Sequence, residues 1–152
     1  MNVRIKRLQH ALDLPIPSYA TDGAAGIDLY AASLGCAIGS DAAAILDPRE
    51  RIGIGCGVAV EIPPGHEGQV RGRSGLAKRG LSIVHGVGTI DSDYRGEIVA
   101  MLVNHGDRPV EINRGDRIAQ LVIAPVVRAT LAEVDELTET ERGAGGFGST
   151  GR

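Results

Sequence analysis

Apolar and small or charged residues alternate along this chain in short bursts. Val58, Val60 and Ile62 keep a period of two until Pro63-Pro64-Gly65 stops them, and Val3 and Ile5, with Leu8 beyond, repeat it more loosely. That period places successive side chains on opposite faces of a strand. Ile98–Val103 is apolar throughout, and Ile118–Val127 is interrupted only by Gln120 and Pro125. Both runs predict strands covered on both faces. Gly106-Asp107 and Asn113-Arg114-Gly115 mark turns between such segments. One short helix is predicted, with Ser74 as its N-cap, Gly75 to Arg79 as one or two turns, and Gly80 as a left-handed stop. Short strands with turn signals at intervals of roughly 8–12 residues predict an all-β sandwich or jelly roll. From Thr138 the pattern turns polar and then glycine-rich, which divides the chain into a body, 1–137, and a C-terminal arm, 138–152.

Composition narrows the picture. With 152 residues the chain makes one domain, and with no Trp, one Phe and three Tyr its core must be aliphatic. A formal net charge of −3 argues against nucleic acid or an anionic membrane as partner, so any phosphate must be held locally. No apolar run approaches the roughly 20 residues of a membrane span. Basic residues in Met1–Leu8 are followed by no apolar stretch, so no secretory leader is expected. Cys36 and Cys56 have no metal-ligand spacing and are expected to be reduced, in a cytoplasmic protein.

Five segments carry candidate chemistry. Gly88–Glu97 reads as a hairpin tip bearing Asp91, Asp93 and Tyr94: a carboxylate able to act as general base toward water, and a ring able to lie flat on a sugar. Arg73 and Ser74 stand at the start of the predicted helix, where free N–H groups favour phosphate. Asp28, in Ala25-Gly-Ile-Asp-Leu29, could hold a hydrated Mg²⁺ on a polyphosphate. Gln120 is polar inside an apolar run, and so is either satisfied internally or reaching a ligand. The Arg114-Gly-Asp116 triplet needs no explanation beyond a turn. In the tail, Arg142, Phe147, Ser149, Thr150 and the backbone N–H groups of Gly148 to Thr150 fall within nine residues, the makings of a lid over a flat anionic ligand. Each segment alone is an ordinary turn, cap or polar end.

Taken in order, AGIDL, RSGLAKRG, GTIDSDYRGE, RGDRIAQLV and RGAGGFGSTG resemble the five motifs of the trimeric dUTPase family, from Ala25 to Gly151. The resemblance implies a β jelly roll (a distorted barrel of the β-clip kind) forming a homotrimer with three shared active sites. It implies Mg²⁺-dependent hydrolysis of dUTP to dUMP and pyrophosphate. Asp91 matches the general base, Tyr94 the ring that stacks under deoxyribose and excludes a 2′-hydroxyl, and Thr89 and Ile90 the hairpin that reads uracil through its backbone. Arg73, Ser74 and Gly75 match the phosphate grip, Gln120 the contact to α-phosphate and water, and Asp28 the carboxylate holding Mg²⁺ through a water. Arg142, Phe147, Gly148, Ser149 and Thr150 match the lid. The chain departs from many members in carrying His85 where they have Asn, which matters only if a side chain there touches the base; a backbone role is expected. His10, His66 and His105 are expected at the surface. A deaminase of dCTP with the same fold, and a nucleotide-sensing regulatory trimer, are the alternative readings.

Overall fold

The structure is a computed structural model describing residues 1–34 and 43–146. Its strands are β1 (Arg4–Arg7), β2 (Ile27–Tyr30), β3 (Ala44–Leu46), β4 (Arg51–Gly55), β5 (Val58–Glu61), β6 (His66–Arg71), β7 (Leu81–Ile83), β8 (Val87–Ile90), β9 (Val99–Asn104), β10 (Val110–Ile112) and β11 (Arg117–Pro125). A 3₁₀ turn at Gln9–Ala11 and one helix, α1 (Ser74–Ala77), complete the described elements. All ladders are antiparallel. The strands form sheets in the orders β2-β11-β6-β8, β4-β9-β7, β1-β5 and β10-β3. The fold is all-β, as the alternation predicts.

The sheets close on an aliphatic core that includes Leu29, Ile54, Ile62, Leu81, Ile98, Leu102 and Ile118. One fully buried polar side chain, Asn104, stands among these residues. Its amide nitrogen donates to the carbonyls of Leu46 (2.9 Å) and Arg108 (2.8 Å), and its oxygen accepts from the Gly106 N–H (2.9 Å). It thereby satisfies three backbone groups at a corner where the β3, β9 and β10 segments meet, which makes its burial tolerable.

Several expectations need correction. Ser74 is the first helical residue; the N-cap is Arg73, with extended backbone and no side-chain capping bond. The helix itself is one turn, within the one or two expected: after Ala77 the bonds tighten to the 3₁₀ pattern, Arg79 to Leu76 and Gly80 to Ala77, and Gly80 stops it in the expected left-handed conformation at φ +88°. The segment between β8 and β9 is not a hairpin tip: β8 pairs with β6, β9 pairs with β4 and β7, and the segment crosses from one sheet to another. Nor is Ile98–Val103 covered on both faces, since Val99 and Met101 are exposed while Ala100 and Leu102 are buried. The last strand ends at Pro125, and Val127, Leu131 and Leu137 are almost fully exposed, so 126–137 adds no strand to the body.

Candidate active site

β11 is the spine of the site. Its register sets Gln120 opposite Asp28 of β2 on one side and Arg71 of β6 on the other. The chain leaving β6 at Arg71 runs directly into Arg73 and Ser74, so strand pairing alone gathers Asp28, Arg73, Ser74, Gly75 and Gln120 at one end of the sheet. They line a groove of about 370 Å³. Asp28 Oδ2 accepts from Arg117 Nη1 (3.0 Å), and its Oδ1 is ion-paired with Arg73 Nε (3.0 Å). Arg73 Nη1 also donates to the Arg117 carbonyl (2.8 Å). Two guanidiniums against one carboxylate leave positive charge and N–H donors to spare, which suits an anion in an acidic protein. The only sequence signal for Arg117 is its place in the same Arg-Gly-Asp-Arg run as Arg114.

Gln120 answers the question its polarity raises: it reaches into the groove's wall, where Nε2 donates to the Gly72 carbonyl (3.1 Å). Gly26 makes room for it, because a Cβ there would lie 2.4 Å from Gln120 Oε1. A Cβ at Gly75 would meet nothing within 4 Å, so space stands open above the first turn of α1.

Asp91 and Tyr94 lie elsewhere. Ile90 pairs with Gly68, near the start of β6, so Asp91 emerges beside His66 and Glu67 in a second groove of about 420 Å³ that also includes Asp93 and Arg128. The strand between Glu67 and Arg73 spans about 20 Å at ~3.3 Å per residue. Within one chain the base candidate and the phosphate cluster therefore sit at opposite ends of the sheet. Tyr94 is partly exposed; its hydroxyl donates to the Glu97 carbonyl (3.0 Å), and its ring lies so close over Gly96 that a Cβ there would be 2.3 Å from its oxygen. β8 is an edge strand, so on the side away from β6 the backbone groups of Thr89 and Ile90 have no strand partner among the described residues. His85 is exposed in the turn before β8, next to Gly86 at φ +75°.

In the tail, Arg142 folds back locally, Nε donating to the Gly145 carbonyl (2.7 Å). Phe147, Gly148, Ser149 and Thr150 lie outside the described residues. His10 and His66 are not surface residues but half-buried ones, His10 bonded to Glu97 (3.1 Å). Arg114 does more than make a turn. Its guanidinium, which also donates to the Ala32 carbonyl just after β2, clasps the N-terminal segment through the carbonyl of His10 (2.7 Å) and the carboxylate of Asp13 (2.7 Å), and the latter bond holds the Asp13 carboxyl below its usual range. No helix among the described residues is long and apolar enough to cross a membrane.

A family model described as dUTPase matches residues 13–151. The deoxyuridine 5′-triphosphate nucleotidohydrolase of Methylocella silvestris is 55% identical, over 99% of this chain and 92% of its own. That of an Anaeromyxobacter species is 56% identical, over 100% and 99%. Among solved structures, a mutant dUTPase of Staphylococcus bacteriophage 80alpha with dUpNHpp superposes with a TM-score of 0.83 at 28% identity, covering 99% of each chain. A mutant dUTPase from phage phi11 of S. aureus, described with a structural Mg(II) ion, gives 0.76 at 25% identity, covering 91% of this chain and 100% of that one. The jelly roll, the match along nearly the whole length and relatives more than half identical over it lead to one conclusion: the chain belongs to the dUTPase family.

Proposed function

We propose that this chain hydrolyses dUTP to dUMP and pyrophosphate in a cytoplasmic homotrimer whose active sites each combine groups from different copies. The observation that carries the reading is the placement of an anion-suited groove at one end of the β6–β11 sheet and of Asp91 and Tyr94 at the other. One copy cannot bring both to a single nucleotide about 20 Å away; a neighbouring copy supplies the missing half. The relatives' names and the dUpNHpp on the phage 80alpha enzyme support dUTP as the substrate.

In this reading, Arg73, the Ser74 hydroxyl and the open backbone at Gly75 bind the phosphates, and Gln120 contacts the α-phosphate and the attacking water. Asp91 takes the proton of that water as its oxygen bonds to the α-phosphorus. The bond from that phosphorus to the bridging oxygen breaks, and pyrophosphate leaves. The free edge of β8 at Thr89 and Ile90 reads uracil, with His85 contributing backbone, and Tyr94 lies under the sugar where a 2′-hydroxyl would collide. Arg142, Phe147, Gly148, Ser149 and Thr150 close over the bound triphosphate and exclude water.

The donor set fits Mg²⁺ held through water. Asp28 is a single carboxylate already paired with two guanidiniums, and no cluster of three ligating side chains stands among the described residues. Such a site suits an ion that keeps its waters and draws most of its ligands from substrate phosphates. Bound there, Mg²⁺ would supply charge neutralisation of the triphosphate. The reaction would remove a uracil nucleotide from the pool available to DNA synthesis and provide dUMP for thymidylate.

The test is release of pyrophosphate from dUTP, dTTP, dCTP and UTP, with ammonia followed in parallel. Pyrophosphate from dUTP alone is the expected result, and ammonia from dCTP would overturn it. Asp91→Asn should slow dUTP hydrolysis by roughly a hundredfold to ten-thousandfold with binding retained, since that is the usual contribution of a positioned base. Near-normal turnover in that variant would remove Asp91 from the mechanism.

A further inference from the structure

We propose that Glu97, seated by His10 of the N-terminal 3₁₀ turn, is a positioning residue that holds Tyr94 in place as the filter against ribonucleotides. The inference rests on the sugar-excluding role read for Tyr94 above and assigns what sets that ring.

Apart from the Tyr94 hydroxyl, the described hydrogen bonds of residues 91–96 stay within the loop: Tyr94 N–H to the Asp91 carbonyl (3.1 Å) and Arg95 Nη1 to the carbonyls of Ser92 (2.8 Å) and Tyr94 (2.9 Å). The tether lies at Glu97. Its carbonyl accepts the Tyr94 hydroxyl (3.0 Å), while its carboxylate Oε1 accepts the Gly57 N–H (2.7 Å) and bonds to His10 Nε2 (3.1 Å). The next residue, Ile98, donates its N–H to the Val58 carbonyl (2.9 Å). Side chain and following amide together fix both flanks of the Glu97 carbonyl, and so the point to which the tyrosine is tied.

Three glycines clear space for this arrangement. A Cβ at Gly55 would fall 2.5 Å from Glu97 Oε1, and one at Gly96 would fall 2.3 Å from the Tyr94 oxygen. Gly57 is left-handed (φ +68°), and a Cβ there would meet that of Ala11 at 2.2 Å. Behind His10, Arg114 fastens the 3₁₀ turn to the body. The lever therefore runs from Arg114 through the His10 backbone and ring to Glu97, and from its carbonyl to the tyrosine. A ring held at one end by a fixed acceptor can reject a single extra hydroxyl; a ring free to swing can yield to it.

The experiment measures kcat/KM for dUTP and for UTP in Glu97→Ala, His10→Ala, His10→Gln and Tyr94→Ala, and in the doubles of the first two with Tyr94→Ala. Glu97→Ala and His10→Ala are expected to lower the dUTP-to-UTP ratio by roughly fivefold or more, the size of one net hydrogen bond. His10→Gln, which keeps a donor, should restore much of it. In the Tyr94→Ala background neither change should move the ratio further, because both act through the ring. If Tyr94→Ala leaves the ratio unchanged, the sugar-filter reading fails and this inference with it. If Tyr94→Ala lowers the ratio while Glu97→Ala and His10→Ala do not, the filter stands and the lever is refuted. Should Glu97→Ala fail to fold, the His10 pair decides alone, as it alters a half-buried side chain rather than the partner of a backbone amide.

Discussion

Two residues of the interior illustrate how differently single side chains can be read from a sequence. Cys56 is buried in an aliphatic core, and burial, aided by the negative charge of Glu97, pushes its thiol up to about 12. In the unfolded chain the thiol ionises near its ordinary value of about 8.5. The folded pKa is the higher one, so the thiol's contribution to stability is complete below about pH 8.5 and is lost as pH rises toward 12. Within that window the native chain should lose up to about 1.4 kcal/mol per pH unit more than Cys56→Ala does, measured by urea unfolding. Parallel pH profiles for the two proteins would contradict this. The Cys56 environment was foreseeable from its apolar neighbours. Asn104 was not: in sequence it closes an apolar run before His105-Gly106 and looks like the polar start of a turn. Its three bonds reach Leu46, Gly106 and Arg108, and the most distant of these is set by tertiary structure alone.

At the scale of elements, motifs were legible wherever the chemistry and the turn lie on contiguous residues. The Ser74–Gly80 turn, Asp28 beside the start of β2 and the loop character of Asp91–Tyr94 are each readable from their own residues, although that loop joins two sheets and not the arms of a hairpin. Partners were not legible, because register is fixed by residues far apart in the chain. Polar β6 reads as nothing in particular in sequence, yet it is the strand that separates the two halves of the site. Gly26 belongs to this class: its purpose emerges only when β2 and β11 are paired and Gln120 is seen lying over it. Gly26→Ala should displace the carboxamide from the Gly72 carbonyl and from any phosphate it would contact. kcat/KM for dUTP should fall about 10- to 100-fold, the range for losing a hydrogen bond to a charged group, with Tm little changed. A large fall in Tm instead would mean that Gly26 serves the fold and not the groove.

For the whole molecule, the exposed residues matter as much as the core. Val99 and Met101 on one sheet and Val127, Leu131, Val134 and Leu137 after the last strand present apolar surface to solvent in a single chain. This is the kind of surface that association covers. A chain ending at Glu141 keeps all of it, and should sediment like the full-length protein while losing most dUTP hydrolysis, since Arg142 and Phe147 are gone. Full activity in that truncation would reduce the tail to a passenger. The end of the last strand, at Pro125, is hidden in the sequence because Val126 and Val127 prolong an apolar run.

The separation of Asp91 from Arg73 along β6 also bears on inheritance and dosage. Asp91→Asn and Arg73→Ala proteins should each be inactive as pure populations. Unfolded together in equal amounts and refolded, they should regain activity, because a neighbour of the first kind can lend an intact groove to a neighbour of the second kind that retains its aspartate. Random assortment caps the recovery at about a quarter of the sites. Two alleles that each encode an inactive protein would then yield activity when expressed together. If each chain were self-sufficient, the mixture would remain as inactive as its parts.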